Sequence, residues 1–258
     1  MTATRPVDSA GRMPLRSHLR ELRKRLFLVA AGLAVGAVAG WLLYKPVFEA
    51  LIDPLVKLAA ERDDLVTINF SSLFASFDMQ LQVSLFLSVL LTSPWWIYHL
   101  WAFITPGLTR KERRYAVGFL GAAVPLFLSG ALVAWWALPH AVRLLLGFTP
   151  MGAGNIIDAP TYMSFVLRLL LAFGIAFLLP VVMVALNFVG LVKGATWRKG
   201  WRWAVVGVTV FAAIATPTPD PWTMLLVMAP MVLLYFAAVW VCLAHDKRVA
   251  RRRAERTD

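Results

Sequence analysis

Two carboxylates in this sequence stand alone among cations. Glu21 lies in His18-Leu19-Arg20-Glu21-Leu22-Arg23-Lys24-Arg25, and Glu112 lies in Arg110-Lys111-Glu112-Arg113-Arg114. Two readings fit that pattern. In one, each glutamate balances its neighbours as an ordinary surface pair, worth about 0–1 kcal/mol. In the other, they form an acceptor for a cationic ligand. The remaining candidates for chemistry are thinner. His18, His99, His140 and His245 have no ligand spacing, so no metal is expected, and Cys242 is the only cysteine, which excludes an intramolecular disulfide. Ser129-Gly130 falls short of the G-x-S-G of an intramembrane serine nucleophile, because Phe127 holds the first glycine position. There is no phosphate-binding glycine loop and no pair of carboxylates on one apolar segment, so neither an enzyme nor a cofactor is expected.

The elements that position these glutamates are membrane spans. The 258 residues are 60% hydrophobic and 16% charged, against roughly half and a quarter in soluble domains. The excess lies in long uncharged runs, which places the chain in a bilayer. Six spans are expected, near 26–44, 79–104, 116–138, 163–188, 204–215 and 222–243. The first run follows a long basic leader and is too long for a signal-peptide core, so it reads as a retained anchor. Pro46 and Pro139 are expected to end the first and third spans, and Pro94, Pro180 and Pro230 to kink the second, fourth and sixth. The fifth is short: about twelve residues at 1.5 Å give roughly 18 Å against roughly 30 Å of hydrocarbon.

Basic residues alternate across this pattern. They crowd the leader, the segments 110–114 and 193–202, and the tail after Lys247; the opposite side is mostly acidic. The asymmetry puts both termini, Glu21 and Glu112 in the cytoplasm. It also accounts for the net charge of +12 without nucleic acid. The external segment from Lys45 to Asp78 is expected to form short helices interrupted near Pro54, and the tail after Lys247 to be disordered. Arg168 is the one charge well inside a span; it either snorkels to the outer interface or marks an intramembrane site. A secondary transporter would need more such charges and a repeat, and neither is visible.

Several motifs carry a family resemblance. The run from Trp101 to Arg114, with Trp101, Phe103, Ile104, Pro106, Gly107, Leu108, Glu112, Arg113 and Arg114, resembles the first cytoplasmic loop of the TatC family. His18 to Arg25 resembles that family's amino-terminal H-L-x-E-L-R-x-R, and Thr216 to Pro221 its T-P-T-P-D-P turn. Pro54 resembles the proline of its first external loop, and Tyr162 to Val166 with Phe173-Gly174 and Pro180 its fourth helix. The matches run in register along nearly the whole chain.

The resemblance implies an all-α polytopic fold of six transmembrane helices, kinked and with a short fifth helix, as a single membrane domain over 1–258: a leader to 25, a membrane region over 26–244 and a basic tail over 245–258. It implies a receptor and core subunit of the twin-arginine translocase in the bacterial inner membrane. That subunit binds Arg-Arg signal peptides of folded cargo and works with TatA, often with TatB, on the proton-motive force; it needs no cofactor. Carried over, Glu21 and Glu112 meet the signal's arginines, Phe103, Pro106 and Leu108 shape the loop, and Arg23 helps to hold it. Pro54, Arg168, Pro180, Thr216 and Asp220 are candidates for structural or partner contacts. Guanidinium meets carboxylate through a planar two-point contact that lysine cannot copy. The chain departs from the family at Leu178, Met224 and Phe236, where polar residues are usual. A divergent membrane scaffold on the same fold is the alternative.

Overall fold

The computed structural model describes residues 15–62, 67–70, 72–104, 110–147, 156–215 and 221–255. Helix α1 (Leu15–Leu42) begins inside the basic leader and continues through the first apolar run. It ends before Pro46, and α2 (Tyr44–Arg62) starts at once. Pro46 fits there because amides in a helix's first turn lack intrahelical acceptors. The expected interruption at Pro54 does not occur: α2 is one helix with Pro54 inside it. Leu51, Leu55 and Leu58, all buried, lie on one of its faces. Burying them contributes about 1.5–3 kcal/mol each, which exceeds the roughly 3 kcal/mol cost of an interior proline. The Tyr162 hydroxyl, far along the chain, donates to the Leu51 carbonyl at 3.0 Å and fastens α2 to the core.

The second span is broken as expected, into α3 (Ala75–Leu91) and α4 (Ser93–Ile104), bent by 63° just before Pro94. The break exposes carbonyls, and side chains answer them. Thr92 Oγ1 donates to Ser88 O at 2.7 Å, and the Trp96 indole donates to Val89 O at 2.9 Å. Helix α1 packs along both pieces. Gly32, Gly36 and Gly40, four residues apart, form the contact stripe; a Cβ at Gly40 would sit 2.4 Å from the Ser84 carbonyl oxygen. Small residues at that spacing let helix backbones approach in a membrane. Across the stripe, Ser88 Oγ donates to Leu33 O at 2.5 Å and the Trp95 indole to Leu28 O at 2.9 Å. Trp95→Phe keeps the ring and loses that last bond. It is expected to lower the melting temperature of the purified protein by about 1–6 °C, from about 0.5–1.5 kcal/mol of hydrogen bonding.

Helix α5 (Arg110–Gly147) does not end at Pro139; it runs through both Pro125 and Pro139. Leu138, Ala141 and Val142 flank Pro139 and are buried, so tertiary packing overrides the local break. Strands β1 (Thr67–Asn69) and β2 (Ile156–Asp158), not expected in an all-helical chain, pair in parallel with Ile68 opposite Ile157. They tie the α2–α3 connection to the α5–α6 connection. Asp158 then caps α6 (Ala159–Phe188), accepting from the Thr161 amide at 3.1 Å and its hydroxyl at 2.7 Å. Half of the apolar stretch of α6 is buried, more than in any other long apolar helix described, which makes it the central helix. At its crossing with α5, a Cβ on Gly130 would meet the Phe173 carbonyl oxygen at 2.5 Å.

A short α7 (Gly194–Lys199) leads into α8 (Trp201–Ala215), whose 15 residues reach only about 22 Å at 1.5 Å each. The last helix, α9 (Pro221–Ala254), corrects the expected disordered tail: residues after Lys247 stay helical to Ala254. Ala and Arg favour helix there, and Arg251 pairs with Glu255 one turn on, at 3.1 Å. Among the described residues, four helices, α1, α5, α6 and α9, are long and apolar enough to cross a bilayer, the bent α3–α4 pair makes a fifth when taken as one span, and α8 is apolar but shorter.

Candidate ligand groove at the α1–α4 end

One end of the bundle is identified by a chain of rings. Trp101 of α4 lies 5.8 Å from Phe119 of α5, Phe119 lies 5.6 Å from Phe188 of α6, and Phe188 stacks on His245 of α9 at 3.9 Å. Next to it the loop before α7 is bolted to α9. Asp246 accepts from the Gly194 amide at 2.7 Å and from Asn187 Nδ2 at 3.0 Å, and Asn187 also donates to Val192 O at 3.0 Å. The start of α1 belongs to the same end, against the last turns of α4. There an open groove is lined by Arg20, Glu21, Lys24, Arg25, Leu28, Tyr98 and His99.

Glu21 is the groove's only carboxylate among the described residues, and it is about a quarter exposed. It is already in contact with a guanidinium: Arg25 Nη2 donates to Glu21 Oε1 at 2.6 Å and Arg25 Nε donates to the same oxygen at 3.1 Å. The ordinary-pair reading is therefore realised for Glu21, and it does not close the groove. A second feature went unnoticed in the sequence. His99 is 7% exposed, and neither ring nitrogen has a hydrogen-bond partner. Trp95 and Tyr98 hold its ring edge-on, at 4.6 and 5.3 Å. Only its place on the Glu21-facing side of α4, invisible without the bend, distinguishes it from a packed core histidine.

The other candidates fall as follows. Arg23 turns to Phe27, its guanidinium 5.7 Å from the ring centre, and it is Arg25 that pairs with Glu21. Phe103 is half-buried in the last turn of α4. Glu112 is the third residue of α5. The residues joining α4 to α5, Pro106 and Leu108 among them, lie outside the described residues, as do Thr216 and Asp220. Glu112 lies about two helical turns before Phe119, the α5 ring beside Trp101 of α4, so its backbone stays at the groove's end of the molecule. Pro54 and Pro180 are interior to α2 and α6. Arg168 is exposed on the flank of α6 rather than inside the bundle. Leu178 packs with Ile97, Ala123 and Phe127, and Met224 against the main core; Phe236 is 45% exposed on α9.

The molecule is thus a polytopic, mainly helical membrane protein with a guanidinium-filled carboxylate at one end. The family described as Sec-independent protein translocase protein (TatC) matches residues 17–230. A TatC protein of Xylanimonas cellulosilytica is 56% identical over 94% of this chain and 88% of its own length. One from Aquifex aeolicus is 34% identical over 89% of this chain and 94% of its own. A crystal structure of the twin-arginine translocase receptor TatC in the detergent DDM superposes with a TM-score of 0.79, at 33% identity, covering 87% of this chain and 99% of that one. This chain belongs to the TatC family. It is a multi-pass membrane component of the Sec-independent protein translocase, a transport protein and not an enzyme.

Proposed function

We propose that this chain is the signal receptor and core subunit of a twin-arginine translocase, with Glu21 and Glu112 as acceptors for the two arginines of the signal. It sits in the bacterial inner membrane with both termini and the groove in the cytoplasm, acts as one membrane unit from leader to tail, and directs export driven by the proton-motive force. TatA, and TatB where present, are its single-span partners. The observation that carries the reading is the half-buried Glu21 carboxylate at an open groove, holding a guanidinium at 2.6 Å. A site that accommodates one arginine fork has the geometry for another. The excess of Lys and Arg at this end of the helices supports the orientation. The similarity to a solved twin-arginine translocase receptor supports the ligand. Beside the groove, an apolar cleft between α4, α5 and α6, lined by Ile97, Trp101, Phe119 and Leu178, suits the apolar stretch that follows such a signal.

The test is binding of a twin-arginine signal peptide and its twin-lysine counterpart to the full-length protein in nanodiscs. The arginine peptide is expected to bind more tightly, and Glu21→Ala and Glu112→Ala each to weaken it about 10- to 150-fold, the worth of a charged hydrogen bond of about 1.5–3 kcal/mol. Equal binding of both peptides, unmoved by either substitution, would overturn the reading.

A further inference from the structure

The groove has a charge problem. Among the described residues its lining carries Arg20, Lys24 and Arg25 against a single carboxylate, Glu21. A cationic ligand that merely added itself would meet more repulsion than attraction. A ligand that replaced one of these cations would not. Arg25 is the cation placed for replacement. It spends Nε and Nη2 on Glu21 Oε1 alone, and no described residue donates to Oε2. A second guanidinium can therefore engage Oε2 before Arg25 leaves.

The released Arg25 has a place to go. The groove also contains His99, buried, with both ring nitrogens unpartnered. A neutral imidazole offers one lone pair, and a guanidinium is a pure donor with five N–H groups. A buried polar atom without a partner is costly, and gaining one recovers that cost. In the resting state His99 bears the deficit; after exchange it is relieved.

We propose that Arg25 is a built-in stand-in for the ligand's arginine, and that a signal guanidinium takes Glu21 by exchange, sending Arg25 to His99. This inference rests on the receptor reading above and adds a gate to it. Selectivity then follows from competition. Arginine can match the two-donor contact it displaces, whereas lysine, a compact ammonium, offers no planar fork and loses the contest.

The test titrates the twin-arginine and twin-lysine peptides into the full-length protein in nanodiscs, using wild type, Arg25→Gln, His99→Phe and the double variant, with thermal melts to confirm folding. Arg25→Gln is expected to bind both peptides more tightly, by about two- to fivefold for the arginine peptide, the worth of a part-exposed ion pair. It should gain more for the lysine peptide, so that discrimination narrows. His99→Phe is expected to weaken arginine-peptide binding in the wild-type background and to have no effect when Arg25 is already glutamine. Arg25→Lys, which keeps the charge, should give a smaller gain and serves if the glutamine variant does not fold. Weaker binding in the folded Arg25 variants would overturn the exchange, because Arg25 would then be a support for the site. So would a His99→Phe effect that persists in the double variant. If wild type itself shows no preference between the peptides, the receptor reading fails and the exchange falls with it. A Glu21-dependent preference without the Arg25 gain sinks the exchange alone.

Discussion

Gly40→Val is expected to cost the protein about 3 kcal/mol or more and to prevent most of it from accumulating in folded form. Overpacking a well-packed site costs about 1–3 kcal/mol when side chains can move aside. Here the obstacle is backbone: the first added carbon falls 2.4 Å from the Ser84 carbonyl oxygen and 3.0 Å from Ser84 Cα. Relief requires α1 to back away from α3, and that stretches the Ser88–Leu33 and Trp95–Leu28 bonds as well. Folded yield in detergent and the melting temperature read the effect directly. Gly207→Val is the matched control, because a Cβ there meets nothing within 4 Å; it should be near neutral, since valine is no worse than glycine in a helix. Equal losses at the two positions would show that bulk in a span, not the α1–α3 contact, is what the protein resists.

Asp246→Ala is expected to have the second largest effect. The carboxylate serves two buried donors, the Gly194 amide and the Asn187 side chain. Stranding each costs about 1–3 kcal/mol, and together they hold the connection between α6 and α7 onto α9. A loss of about 2–5 kcal/mol follows, together with faster amide hydrogen exchange at residues 189–194. Asp246→Asn should lose less, because its remaining oxygen still accepts one of the two donors. Unchanged exchange in the alanine variant would mean that the close fit of Gly194 against the α9 backbone, where a Cβ would lie 2.9 Å from Cys242 C, holds the loop without the carboxylate.

How much of this was legible beforehand depends on what kind of information a segment carries. The spans were legible, because twenty apolar residues state their own solvent preference. The bend before Pro94 and the shortness of α8 were legible for the same local reason. Pro54 and Pro139 misled, because proline's cost is local while the leucines and alanines that outweigh it meet partners far along the chain. The helical tail was missed because charge was taken for disorder, although its residues favour helix. Strands β1 and β2 are three residues each, too short to signal a pairing between distant connections. Within the site, Glu21 stood out as a carboxylate among cations. That Arg25 fills it, and that His99 faces it, depends on α4 turning away from α3, and no periodicity records an angle.

Gly36 and Gly40 join α1 to α3, the 63° bend joins α3 to α4, and Gly32 with the Trp95 indole joins α4 back to α1. Three rods fastened at three corners make a triangle, the one polygon that cannot shear without changing the length of a side. A load on the start of α1, where Glu21 lies, is then shared between α3 and α4 instead of being taken up by flexing at Pro94 alone.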